Sequence, residues 1–248
     1  MKRLLSLFLC FIMVISLFTG CAKKEETSGD AASGGSDVIK IGVFEPLTGE
    51  NGGGGLQELD GIKYANKMYP EVLGKKIELV IVDNKSDKGE ATTAVTRLIE
   101  KENVVAIIGS YGSGVSIAAG DIIKNAKIPA MGASCTNPMV TQGNEFYFRA
   151  CFLDPFQGRV MANYALQQGA KTAAVIMQNG DDYSVGLGNF FIDAFKELTG
   201  DEKSIVDVSE FQVNDTDFNA ILTNIKAKNP DVIFAPSSAT TAPLIIKQ

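Results

Sequence analysis

The sequence predicts an α/β protein made of two successive units, each a parallel sheet flanked by helices, and three observations carry that prediction. Short β-branched and apolar runs alternate with amphipathic stretches, the order expected when helices cover both faces of a parallel sheet. The alternation ends near residues 146–148 and then starts again. The chain has 248 residues, 45% of them hydrophobic, which is enough for one large core or two smaller ones.

In the first unit, residues 38–150, strands are expected at 39–44, 77–83, 104–108 and 128–131. Helices are expected at 56–68, at 87–102 with Asp87 and Glu90 in capping-box spacing, and at about 115–125. In the second unit, residues 151–248, the order is strand 173–177, helix 185–198, strand 205–211, helix 218–227 and strand 232–235. A last helix begins at Leu244-Ile245-Ile246. A three-stranded sheet would leave long edges, so this unit reads as a partial second lobe in a piece of a longer protein. Such a piece is expected to melt with little cooperativity and to bind poorly.

Ahead of these units, Lys2 and Arg3 precede an apolar run at residues 4–18. At about 15 residues it is short of the roughly 20 that a spanning helix needs, so residues 1–20 read as a signal peptide. Leu17-Phe18-Thr19-Gly20-Cys21 resembles the lipobox of bacterial lipoproteins, which implies cleavage before Cys21 and acylation of its thiol. The alternative is an ordinary signal peptide with a chance cysteine. Residues 21–37, polar and rich in Gly, Ser and Ala, read as a flexible linker, so the folded part is expected outside the cytoplasm on a membrane anchor. Cys10 leaves with the signal, and Cys135 and Cys151 are taken as free.

Composition narrows function. The chain has no histidine, which removes Cys-His and Ser-His dyads, and no His-bearing metal cluster is available. No catalytic residue, metal or cofactor is therefore expected. A net charge of −6 argues against nucleic acid, and the absence of tryptophan makes a sugar pocket a poorer guess than an amino-acid one.

Ligands of open α/β sheets sit beyond the carboxyl ends of the strands, so the loops at 45–55, 109–114, 132–137 and 179–186 are the places to look. Gly109-Ser110-Tyr111-Gly112-Ser113-Gly114 joins a strand to a helix and would point backbone N–H groups at an anion, with the Ser113 hydroxyl beside them. It lacks the Gly-Lys-Ser/Thr of a phosphate-binding loop, and a plain helix start is the alternative. Met131-Gly132-Ala133-Ser134-Cys135-Thr136-Asn137-Pro138 follows the next strand and would face the same crevice with carbonyls and the Thr136 hydroxyl. A simple turn at Asn137-Pro138 is the alternative there.

These segments resemble the type I periplasmic solute-binding proteins of ABC transporters, in the branch that binds branched-chain amino acids. The resemblance rests on Pro46-Leu47-Thr48-Gly49, "GSYGSGVS", "SCTNP", "FRACFLDPFQG" from Phe148, "DDYSVGLG" from Asp181, "TDFNAILTNIK" from Thr216 and "PDVIFAP" from Pro230, in that order. It implies a two-lobe fold with a ligand held between the lobes and handed to a membrane permease, and a monomer is expected. It further implies that Tyr111, Gly112 and Ser113 hold a ligand carboxylate, that the Ser134 carbonyl and Thr136 share its ammonium with Cys135 between them, and that Tyr183 closes from the second lobe. Asp154 to Gly158, with Phe156, would lie at the first crossover, where a hinge works. An acidic residue that completes the ammonium site in that family falls beyond Gln248. One departure is the glycine run Gly52-Gly53-Gly54-Gly55, where the family often has an aromatic residue. Either the pocket is roomier there, with Phe44 or Phe156 replacing the ring, or the loop is merely flexible. A sensor domain of the same fold and a hydrolase using Cys135 are the other function classes.

Overall fold

A computed structural model describes residues 38–248, so the expected signal peptide, the linker and Cys21 lie outside the described residues. Within them the first sheet consists of β1 (Val38–Glu45), β2 (Glu71–Val72), β3 (Lys75–Asp83), β4 (Ala106–Ile108), β5 (Ala130–Gly132) and β6 (Tyr147–Arg149). Their order is β2-β3-β1-β4-β5-β6, parallel throughout except for the antiparallel β2–β3 pair. Between the strands run α1 (Gly52–Met68), α2 (Lys88–Glu100) and α3 (Ser113–Ala126). Apolar side chains of β1, α2 and α3 meet on one face of the sheet, with Phe44, Val95, Leu98, Ala119 and Ile123 fully buried. The Asp87 side chain accepts from the Glu90 N–H at 2.9 Å, so α2 starts as its capping spacing predicts.

The second sheet has the order β8-β7-β9, all parallel, from β7 (Ala173–Gln178), β8 (Ile205–Phe211) and β9 (Val232–Phe234). All six residues of β7 are buried because both faces are covered. Ala173, Val175 and Met177 pack with Phe191 and Phe195 of α5 (Asp182–Thr199) and with α4 (Asp154–Gln167). Ala174 and Ile176 pack on the other side against α6 (Asn219–Lys228) and α7 (Ala242–Lys247). The α/β arrangement of two helix-flanked parallel sheets is thus the one expected.

Three local differences from expectation have physical causes. The helix expected from residue 56 begins at Gly52, so the glycine run is a helical first turn and not a loose loop. A Cβ on Gly55 would lie 2.1 Å from the Pro46 carbonyl oxygen, and one on Gly54 would lie 2.4 Å from Cζ of Tyr111, so this turn approaches its neighbours too closely for side chains. Second, α4 has no counterpart among the expected elements. Its buried positions are Asp154, Gly158, Ala162 and Ala165, while Phe156, Val160, Met161 and Tyr164 are exposed, so the large apolar residues mark the wrong face. The small residues let α5 come close: a Cβ on Gly158 would meet backbone atoms of Phe190 and Phe191 at 2.8 Å. Third, the segment 154–158 expected at the hinge is the first turn of α4, and residues 150–153 make the passage from β6 to the second sheet.

Candidate ligand-binding cleft

In each sheet the strand order reverses beside its first long strand: β1 lies between β3 and β4, and β7 lies between β8 and β9. Loops leaving such a point diverge to opposite sides and open a crevice at the carboxyl ends. The loops of both sheets border one cleft of about 370 Å³. The first sheet contributes Glu50 and Asn51 after β1, Tyr111, Gly112 and Ser113 after β4, and Ala133, Ser134 and Thr136 after β5. Cys151, Phe152 and Gln157 border it near the passage between sheets, and Asp181, Tyr183, Ser237 and Ser238 come from the second sheet.

Gly112 is the N-cap of α3 with φ +96°, a conformation that glycine adopts without strain, and it turns the chain so that α3 starts at the cleft. The buried Ser113 hydroxyl accepts from the Asn137 N–H at 3.1 Å, which ties the two first-sheet binding loops together. Its own hydrogen is left to donate. The loop 135–141 is shaped by Arg149, whose guanidinium donates to the carbonyls of Cys135, Asn137 and Pro138 at 2.8, 2.9 and 3.2 Å and to the Thr141 hydroxyl at 2.7 Å. A planar fork with several donors is the group that can gather so many acceptors at once.

The hydroxyls of Ser134 and Thr136 are buried without a well-formed hydrogen bond. Thr136 lies beside the Asp154 carboxyl, which burial pushes above its ordinary range against the pull of that hydroxyl. Both residues border the cleft, each with its hydroxyl beside a buried carboxyl, Glu58 for Ser134 and Asp154 for Thr136. Tyr183, on the first turn of α5, sits with its hydroxyl against Gln157, and burial raises its pKa.

Other expected residues stand elsewhere. Cys135 is fully buried in the first core and does not border the cleft. Its Sγ would lie 2.0 Å from a Cβ on Gly132, and burial pushes its thiol up to about 12, so it carries no thiolate near neutral pH. Asp154 is buried behind Thr136, and Phe156 is 64% exposed on α4, so neither borders the cleft. Phe44 lies in the core. The ring over the glycine run is therefore that of Tyr111, and Phe152 brings a second ring to the wall. Cys135 and Cys151 are both free, as taken from the sequence.

Beneath the floor lies a carboxyl pair. Glu45, at the end of β1, is fully buried and accepts from the Tyr111 N–H at 2.6 Å. Burial first, and then the neighbouring Glu58 carboxyl, push it up to about 9. Burial raises Glu58 as well, while the Ser134 hydroxyl and Glu45 lower it. Two carboxyls facing each other out of water hold a proton at neutral pH, and this pair underlies both Tyr111 and Ser134.

The two halves touch around the cleft. Gln178 Nε2 donates to Glu50 Oε2 at 3.0 Å, Asn137 Nδ2 donates to the Asp182 carbonyl at 2.8 Å, and Lys88 pairs with Asp182 at 2.7 Å. Phe152, Gln157, Ser237 and Ser238 were not anticipated, and Glu50 and Asp181 lie in the expected loops 45–55 and 179–186 without having been singled out. Ser237-Ser238 follow β9 and were findable by the same carboxyl-end rule. Asp181 was visible as a helix N-cap two residues before Tyr183, and it accepts from the Tyr183 and Ser184 N–H groups. Arg149, equally unanticipated, acts on the loop's shape. Among the described residues no cluster fit to hold a metal occurs, and no helix is long and apolar enough to cross a membrane.

Comparison with known proteins places this arrangement. The profile of the periplasmic binding protein family matches residues 38–248. A leucine binding protein, LivK, of Thermotoga maritima MSB8 is 43% identical with a TM-score of 0.76, over 79% of this chain and 55% of that one. The branched-chain amino acid transporter substrate binding protein LivJ of Streptococcus pneumoniae, solved with isoleucine, is 32% identical with a TM-score of 0.76, over 84% and 60%. A solute binding protein of Rhodopseudomonas palustris in complex with 4-hydroxybenzoate is 25% identical with a TM-score of 0.76, over 84% and 56%. The chain spans 53% to 62% of the length of the curated relatives it matches. A profile match over all the described residues, together with Leu/Ile/Val-binding homologues, shows that this chain belongs to the periplasmic binding protein family, as a type I member of its branched-chain amino-acid branch.

Proposed function

We propose that this chain is the ligand-capturing part of an extracytoplasmic substrate-binding lipoprotein of an ABC importer, which closes two lobes, residues 38–150 and 151–248, on an amino acid and delivers it to a membrane permease. The observation that carries the proposal is the cleft between two topological switch points, walled by helix-start amides and by the hydroxyls of Ser113, Ser134 and Thr136. An α-amino acid needs donors for its carboxylate and acceptors for its ammonium within one small volume. The α3 start with Ser113 supplies the first, and the Ser134 carbonyl with Thr136 supplies the second. Tyr111, Phe152 and Tyr183 wall the side chain, and the solved relatives bound to isoleucine or named for leucine favour a branched-chain ligand or one close to it. Binding proceeds without turnover, because burial holds the Cys135 thiol protonated against the pull of Ser116 and Arg149.

Calorimetry of the full-length protein with a panel of amino acids tests this. A branched-chain or related amino acid should bind, and Thr136→Val should weaken it by about 1–3 kcal/mol, the penalty for a buried group left short of a hydrogen bond. A panel without a binder, or a Thr136→Val variant that binds as wild type does, refutes the assignment. The anchor rests on the box before Cys21: Cys21→Ser should move the protein from the membrane to the soluble fraction, and equal partitioning of both forms refutes it.

A further inference from the structure

Two ionisable carboxyl side chains, Glu50 and Asp181, border the cleft, and among the described residues no lysine or arginine does. They are not equivalent. Asp181 caps α5, and its oxygens accept from the backbone N–H groups of Tyr183 and Ser184. Glu50 lies on the loop between β1 and α1, and its side-chain partners come from the other half of the molecule: Gln178 Nε2 at 3.0 Å from Oε2, and the Thr241 hydroxyl at 3.5 Å from Oε1. Both partners are neutral. Lys88, which shares a flanking depression with Glu50, is paired with Asp182 at 2.7 Å, and among the described residues no salt bridge reaches Glu50. The wall thus carries a negative charge that no side chain of the cleft balances. A charge held at the edge of a low-dielectric cleft interacts strongly with whatever ligand charge comes near it.

We propose that Glu50 is a specificity-determining residue that pairs with a positive group of the ligand and excludes carboxylates lacking one. The inference rests on the amino-acid reading above and goes further, because it names the residue of the first half that sets the sign of the ligand. An amino acid brings an ammonium on the carbon next to its carboxylate, so the carboxylate can take the α3 start while the ammonium answers Glu50. A hydroxybenzoate or a 2-hydroxy acid of the same shape brings a negative charge and no compensation. Discrimination by an unpaired charge acts against the wrong ligand as much as for the right one. Because Gln178 and Thr241 hold the same carboxylate from the second half, it is in place when the halves meet.

The test is calorimetry on the full-length protein, as wild type, Glu50→Gln and Glu50→Asp, with three probes: leucine, 2-hydroxy-4-methylpentanoate, which replaces its ammonium by a hydroxyl, and 4-hydroxybenzoate. Melting temperatures report folding of each variant. Wild type should prefer leucine over both other acids. Glu50→Gln should weaken leucine by about 10- to 100-fold, the range for losing a charged hydrogen-bond partner, and leave the hydroxy acid unchanged or tighter. Glu50→Asp, which keeps the charge, should retain the preference and stands in as the folded control. If Glu50→Gln weakens leucine and the hydroxy acid equally, Glu50 only ties the halves together and the inference is overturned, while the amino-acid reading stands. The same holds if leucine binding does not change. If wild type binds 4-hydroxybenzoate better than leucine, or binds none of the probes, the amino-acid reading fails and the inference fails with it.

Discussion

Replacing Glu45 by glutamine should change how stability depends on pH while leaving the fold intact. Glu45 is fully buried at the end of β1, beside the Glu58 carboxyl, and its one good hydrogen bond is accepted from the Tyr111 N–H at 2.6 Å. The folded chain therefore keeps it protonated up to about pH 9, whereas an ordinary glutamate ionises near 4.5. The sign follows from proton counting. Below 4.5 both states hold the proton and this group costs nothing. Between 4.5 and 9 the folded state binds more protons than the unfolded one, so stability falls as pH rises, and above 9 the loss levels off.

The slope between pH 6 and 8 requires only that Glu45 be neutral when folded and charged when unfolded. Its limit is then about 1.4 kcal/mol per pH unit, or about 3 kcal/mol over that window. Glutamine is nearly isosteric, its side-chain oxygen still accepts from Tyr111, and it does not titrate. Urea titrations of wild type and Glu45→Gln at pH 6, 7 and 8 should give free energies that diverge in favour of the variant by up to that amount. The carboxylates held below their ordinary range, such as Asp83 and Asp231, titrate at lower pH and are common to both proteins. Parallel curves would refute the assignment of a shared proton to the Glu45–Glu58 pair.

Two further outcomes follow from packing. Gly54→Ala should weaken ligand binding, because a Cβ would lie 2.4 Å from the Tyr111 ring and displace it, while the clash offsets the up to about 1 kcal/mol that alanine gains over glycine in a helix; unchanged affinity would show that this ring is no part of the wall. Alkylation of the native protein at pH 8 should modify Cys151 before Cys135, with ligand slowing the reaction at the cleft-lining Cys151, and peptide mapping that finds Cys135 first would contradict the buried, proton-holding thiol.

The sheets were legible because their signal is hydrophobic and local. Strands such as Ala173–Gln178 are continuous apolar runs, and Asp87 with Glu90 marks the start of α2 by a hydrogen bond that needs no tertiary context. What escaped is packing by small residues. The helix Asp154–Gln167 buries Gly158, Ala162 and Ala165 and exposes its rings, so a search for apolar periodicity passes over it. The glycine run misled for the same reason, since a missing side chain reads as freedom when the cause is the closeness of Tyr111 and Pro46. At the cleft, the loops after β4 and β5 were found by the carboxyl-end rule. The loop 45–55 was found by the same rule, but Glu50 within it was not singled out, because the charge acquires its meaning only when β7 delivers Gln178 opposite it.

That dependence on the second half explains how the cleft divides its labour. The first sheet supplies the dense, buried hydrogen-bonding loops, and Arg149, Asn137 and the Glu45–Glu58 pair fix their shape from behind. The second sheet supplies groups that meet the first across the opening, at Gln178 and Asp182, and Tyr183 borders the same cleft. The Lys88–Asp182 pair is half-exposed and weak by nature, so it adds little to the hydrogen bonds Asn137–Asp182 and Gln178–Glu50 between the halves. A ligand that fills the cleft touches both halves and adds its binding energy to those contacts. On the proposed function, closure and capture would form one equilibrium, in which the ligand favours the closed arrangement by the difference between its affinities for the closed and open forms.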